Sequence, residues 1–289
     1  MPNPQDSDQN ENTYVIDPES ATEMARLMNQ DRIITDNMGR LLPEQLDLSN
    51  TRTILDLACG PGAWALNIAF AYPKIEVVGI DISKTMIDYA RAQAWSQGLN
   101  NASFKVMNVL KPLDFPDNSF DGINARLMVG FMPKSAWPAL LQECWRITRP
   151  GGFICLTESD EFGNTNSAAY EKGKIVFFRA LQLAGMTSPL DERSFGITPL
   201  LTSFLRKAGY QNIQRKPHTL DFSAYTDIHQ AMFQNFMIGT QLAQPFMIKM
   251  GQTTPQEAEQ SIQQLMIEMM SDDFCALWYY LSVFGIKPQ

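Results

Sequence analysis

Asp56 interrupts an apolar run, Ile54-Leu55-Asp56-Leu57-Ala58, that breaks into Cys59-Gly60-Pro61-Gly62. Nineteen residues after Gly62, Asp81 ends a second apolar run, Val77-Val78-Gly79-Ile80. An apolar strand that turns on glycines, opens a helix and meets a carboxylate one βαβ unit later has the parts needed to hold a nucleoside. The glycines let backbone approach a ligand, and the carboxylate accepts hydrogen bonds from a ribose diol. The chemistry this implies is the handling of an adenosine-like cofactor.

Gly60, Gly62 and Ala65 also satisfy a bare dinucleotide pattern, G-x-G-x-x-A. Asp56 favours another cofactor. It lies four residues before Gly60, where it can receive the ammonium of an amino-acid-bearing ligand; a dinucleotide has no cation there to offset a carboxylate. Further along, Phe115-Pro116-Asp117-Asn118-Ser119-Phe120-Asp121 precedes a fourth apolar strand, and Arg149-Pro150-Gly151-Gly152 precedes a fifth. In this order and spacing the segments from Thr51 to Glu158 resemble the class I S-adenosylmethionine (SAM) dependent methyltransferases.

That resemblance implies an α/β fold, a Rossmann-like and mostly parallel seven-stranded sheet with helices on both faces. It implies SAM as cofactor, Gly60 and Gly62 turning against its methionine and ribose parts, and Asp81 on the ribose hydroxyls. Asn108 with Val109 stands where the family usually has an acidic and then a small residue beside the adenine amino group, and an amide oxygen can accept the same bond. Ile82 and Met86 would sandwich the adenine, or else belong to the core. Tyr14, with Glu23, Arg26, Leu27 and Gln30, resembles a bacterial small-molecule subgroup marked by a tyrosine and an E-x-x-R-L-x-x-Q helix. By that likeness Tyr14 and Gln30 close over the cofactor and Arg126 lies along its methionine moiety. The plainer expectation for Arg126 is an ion pair with Glu158.

Methyl transfer from a sulfonium demands in-line approach, and positioning can supply most of its acceleration. Where a base is needed, Glu158 and His229 are the catalytic candidates, with Tyr14 as a further one; none stands in a recognisable catalytic pair. Phe233, Phe236 and Met237 lead a run of phenylalanine and methionine suited to an apolar acceptor, although core packing or a homodimer interface would use the same stripe. The expected activity is methyl transfer to O, N or C of a small, largely apolar or aromatic metabolite. The alternatives are a non-methylating cyclisation or pericyclic step on the same fold, a nicotinamide-dependent oxidoreductase, and a non-catalytic binding protein.

Composition narrows the partners. Across 289 residues there are 23 basic and 31 acidic side chains, a net charge of −8, with no basic cluster, so a phosphate backbone would be repelled. The four cysteines show no C-x-x-C spacing and there are two histidines, so no metal site is expected. No apolar segment approaches the ~20 residues of a membrane span. Met1 to Asn12 is polar and acidic, which argues for a disordered tail over a secretory signal and for a cytoplasmic protein.

The elements that must position these groups follow from periodicity. Residues 1–50 give a tail and a helical cap, starting at Asp17-Pro18. Residues 51–158 alternate strands (53–58, 76–81, 103–108, 122–126, 152–158) with helices (63–71, 84–97, 135–147) and form the cofactor-binding core. Residues 159–221 hold a helix at 168–184, a second one capped by Thr198-Pro199, and a strand at 213–220. Residues 222–274 form a helical lid insertion with the capping box Thr254-Pro255-Gln256-Glu257 and seven of the sixteen methionines. Residues 275–289 supply a last edge strand.

Overall fold

The computed structural model describes residues 13–187 and 193–289. The tail read at 1–12 lies outside the described residues. The strands are β1 (Thr53–Leu57), β2 (Glu76–Asp81), β3 (Ala102–Val106), β4 (Phe120–Arg126), β5 (Thr148–Glu158), β6 (Asn164–Thr165), β7 (Gln211–Asp221) and β8 (Ala276–Ile286). The helices are α1 (Ala21–Met38), α2 (Ala63–Ala71), α3 (Lys84–Ser96), α4 (Trp137–Ile147), α5 (Ala168–Leu183), α6 (Thr198–Ala208), α7 (His229–Lys249) and α8 (Pro255–Met269).

The sheet runs β3-β2-β1-β4-β5-β8, parallel from β3 to β5 and antiparallel at β8. β7 pairs antiparallel with β8, and its proline, Pro217, is tolerated in a strand whose residues are mostly exposed. The expected seven strands become eight through β6, which pairs Asn164 and Thr165 with the start of β8. Two polar residues carry no alternation, so sequence offers no signal for such a strand.

Ile54, Leu55 and Leu57 of β1 are all fully buried because helices cover both faces of the sheet, which is why the strand reads as a continuous apolar run. One core packs α4 and α6 on one face around Trp137, Leu141 and Leu205; the other packs α2 and α3 around Trp64, Ile68 and Ile87.

Two helix starts differ from expectation. Asp17 does not open α1: its carboxylate accepts from Glu19 N within a turn, and the helix begins after Ser20, whose hydroxyl accepts from Glu23 N. α6 is not capped by Thr198; Asp160 accepts from the amides of Ile197 and Thr198 at 2.6 and 3.0 Å. At α8 the capping box forms as read, Thr254 and Glu257 each bonding the other's backbone amide.

A third cluster joins α1, α5, α7 and α8 to β7 and β8 through Ile34, Tyr170, Leu220, Met232, Leu265 and Trp278. It builds a helical cover. No helix among the described residues is long and apolar enough to cross a membrane.

Candidate functional site

A cavity of about 340 Å3 lies between the carboxyl ends of β1, β2 and β4 and the helical cover. Its floor is set by strand register. Asp56 of β1 is opposite Asn124 of β4, and Asn124 Nδ2 donates to Asp56 Oδ1 at 2.8 Å. Asp56 is only 3% exposed, and burial, with the Asp81 carboxylate nearby, pushes its pKa up to about 7. A buried carboxylate with a single amide donor among the described residues is a place where a cation would be stabilised.

Asp81 at the end of β2 accepts from Gly60 N through one oxygen and from Ser83 N through the other, both at 2.9 Å. Burial raises its pKa as well. Each carboxylate oxygen keeps a second lone pair for a diol. Ser83 caps α3 by accepting from Met86 N, and its hydroxyl donates to Pro18 O at 3.0 Å. The N-terminal segment is thereby tied across the site: Thr13 donates to Phe131 O and Glu19 accepts from Thr85 N.

Gly60 lines the cavity in the left-handed region, φ +53°. Gly62 does not. A Cβ there would fall 2.8 Å from Ala90 Cβ and from Phe104 Cε1, so Gly62, expected beside the ligand, instead allows the turn and α3 to pack together. Ile82, Met86, Asn108 and Val109 line the cavity, with Asn108 Oδ1 also accepting from Leu110 N.

Tyr14 and Gln30 line the other side. Tyr14 donates to Glu23 at 2.5 Å, and burial pushes its phenol well above the usual range. Glu23 is fully buried and takes both arms of the Arg26 guanidinium at 2.6 and 2.7 Å; Arg26 reaches on to Gln30 and to Asn235 of α7. This network ties α1 to the inserted helices.

Arg126 also lines the cavity, but its partners are Asp31 and Thr35 of α1 rather than Glu158. Glu158 is turned inward, accepting from Met128 N at 2.9 Å and Val129 N at 3.1 Å. It braces the tight turn after β4, where Leu127 adopts φ +53°. Burial holds its pKa up at about 8, yet it does not line the cavity, which removes it as a catalytic candidate. His229 is removed for the same reason. Its Nδ1 faces Phe222 O at 3.0 Å and its ring packs near Phe274, outside the cavity. Of the three acceptor-contact candidates only Phe236 lines the cavity; Phe233 and Met237 pack against the cover's own core.

Asn124, Asp31 and Asn235 were not singled out from sequence. Asn124 was visible as a polar residue inside the apolar strand Gly122–Ala125. Asp31 was visible as the next step of a helical stripe, since Arg26, Leu27, Gln30, Asp31 and Ile34 all line the cavity.

The groups present fit SAM. Asp56 suits an ammonium, Asp81 a ribose diol, and apolar side chains flank the space between them. Residues 54–152 match the methyltransferase domain family. An uncharacterized methyltransferase of Schizosaccharomyces pombe is 33% identical over 119 residues, 39% of this chain and 42% of that protein. Demethylmenaquinone methyltransferase of Geobacillus kaustophilus is 27% identical over 201 residues, 62% of this chain and 80% of the relative. Among solved structures, the YcgJ protein of Bacillus subtilis superposes with TM-score 0.51 at 17% identity, over 83% of this chain and 93% of that one. Domain match and sequence relatives agree on a SAM-dependent methyltransferase domain over residues 54–152, and the sheet order is that of its Rossmann-like fold.

Proposed function

We propose that the protein transfers the methyl group of SAM to O, N or C of a small, largely apolar or aromatic metabolite. The observation that carries this is one cavity lined both by Asp56 and Asp81, at the ends of β1 and β2, and by Phe162, Phe177, Phe236, Met247 and Trp278. A concave, largely apolar space with a few convergent polar groups suits a small molecule better than a polymer.

When bound, SAM supplies an electrophilic methyl on a positively charged sulfur. Asp56 receives its ammonium and Asp81 its ribose hydroxyls; Gly60 brings backbone close, and Ile82 and Met86 flank the adenine beside Asn108 and Val109. Tyr14 and Gln30 hold the segment that covers it, and the cover excludes water from the transfer.

Calorimetry tests the cofactor half. SAM and S-adenosylhomocysteine should bind in the micromolar range and NAD should not. Asp81→Asn should weaken both at least tenfold, since two charge-assisted bonds at ~1.5 kcal/mol or more each are altered. Unchanged affinity in that variant, or tight NAD binding, overturns the assignment.

A further inference from the structure

Three carboxylates line the cavity: Asp56, Asp81 and Asp31. The first two sit at strand ends and meet the needs of the cofactor. Asp31 has none of those duties. It projects from the cavity stripe of α1, one oxygen is paired with Arg126, and the other, Oδ2, is shielded from solvent without a hydrogen-bond partner among the described residues. A shielded carboxylate oxygen left unpaired is costly in an empty site, and a ligand that donates a hydrogen bond removes the cost.

Strand geometry says which part of the cavity this oxygen serves. Asn124 contacts Asp56, and Arg126 follows two residues later on the same face of β4, about 6.6 Å further toward the carboxyl end. Arg126, and Asp31 paired with it, therefore stand further toward the carboxyl end of β4 than Asn124, the partner of Asp56, in the cavity that Phe162 and Phe236 also line.

Building on the function proposed above, we infer that Asp31 Oδ2 accepts a hydrogen bond from a hydroxyl of the methyl-accepting molecule, so that the acceptor is an apolar or aromatic hydroxyl compound. Arg126 already offsets the Asp31 charge, which leaves a neutral donor better matched than an ammonium. In the transfer the acceptor oxygen forms its bond to the methyl carbon. The carbon–sulfur bond of the donor breaks with its electron pair left on sulfur, and the hydroxyl proton passes to Oδ2. The methylated product can no longer donate, so Asp31 selects the hydroxyl form over the ether.

Binding to the full chain saturated with S-adenosylhomocysteine tests this, with 2-naphthol, 2-methoxynaphthalene and protonated 2-naphthylmethylamine as calorimetric probes. The wild type should bind 2-naphthol at least about tenfold more tightly than either other probe, the preference a charge-assisted hydrogen bond supports. Asp31→Asn, which offers an amide group in place of Oδ2, should shrink that preference to less than about threefold with S-adenosylhomocysteine affinity retained. Asp31→Glu, which keeps the carboxylate, should preserve most of it. Equal affinities, no 2-naphthol binding, preference for the ammonium, or undiminished discrimination in Asp31→Asn would each overturn the inference. The wild-type comparison decides even where a variant does not fold. Failure of the wild type to bind S-adenosylhomocysteine at all would instead strike the cofactor assignment.

Discussion

Asn124 Nδ2 donates to Asp56 Oδ1 across 2.8 Å, on a carboxylate that burial holds at a pKa of about 7. Asp56 is therefore largely protonated at pH 6 and largely ionised at pH 8, and a ligand ammonium should stabilise the ionised form. Binding of S-adenosylhomocysteine should release close to one proton at pH 6 and much less at pH 8, with affinity rising over that interval. Calorimetry in buffers of different ionisation enthalpy reads this directly; proton uptake, or equal release at both pH values, would count against an ammonium at Asp56. In the ligand-free protein the same shift has the opposite sense for folding. From its ordinary 3.8 up to about 7 the folded chain keeps a proton that the unfolded chain has lost, so this group's contribution to stability falls as pH rises through that window.

The two glycines of the turn should separate in a stability measurement. Gly60→Ala meets nothing within 4 Å and carries only the strain of φ +53°, at ~1–2 kcal/mol. Gly62→Ala adds a clash with Ala90 and Phe104 to φ +83°, costing ~1–3 kcal/mol more. Urea denaturation should rank Gly62→Ala well below Gly60→Ala. Ligand affinity, by contrast, should suffer more at Gly60, which lines the cavity.

Removing Arg26 should be among the most damaging single changes in the cover. Glu23 is fully buried, and Arg26→Met would leave its charge facing only the Tyr14 hydroxyl, at a cost of ~3–5 kcal/mol. Asn235→Ala removes one bond from the same guanidinium and should cost ~1–2 kcal/mol. Equal effects in thermal unfolding would mean that the tie to α7, not the buried charge, dominates.

Those contrasts show what sequence could convey. The places of Asp56, Gly60 and Asp81, at two strand ends and the turn between them, were legible because strand, turn and helix are local. Arg126 and Glu158 were not. Neighbouring strand ends made an ion pair between them plausible, but α1, distant in sequence, brings Asp31 to Arg126, while Leu127 turns the backbone so that Glu158 meets two amides. Such partners depend on how a helix 95 residues away is laid across the sheet. Phe233, Phe236 and Met237 were legible as an apolar stripe, yet which of them faces the cavity depends on the roll of α7, which Arg26 and Asn235 help to set.

Phe236 and Met237 are adjacent on α7, and only the first faces the cavity. Phe236 packs edge-on against Tyr170 at 5.1 Å and beside Phe222 at 5.2 Å, so its ring is held in place as part of the cavity wall. Phe236→Ala should weaken 2-naphthol binding to the S-adenosylhomocysteine complex by about tenfold, the loss of one aromatic contact surface of ~1.4 kcal/mol. Met237→Ala should leave that affinity within about twofold while lowering stability by ~1–2 kcal/mol, because its side chain packs against the cover's core. A probe affinity that tracks Met237 and ignores Phe236 would show that the apolar part of the cavity does not receive the acceptor.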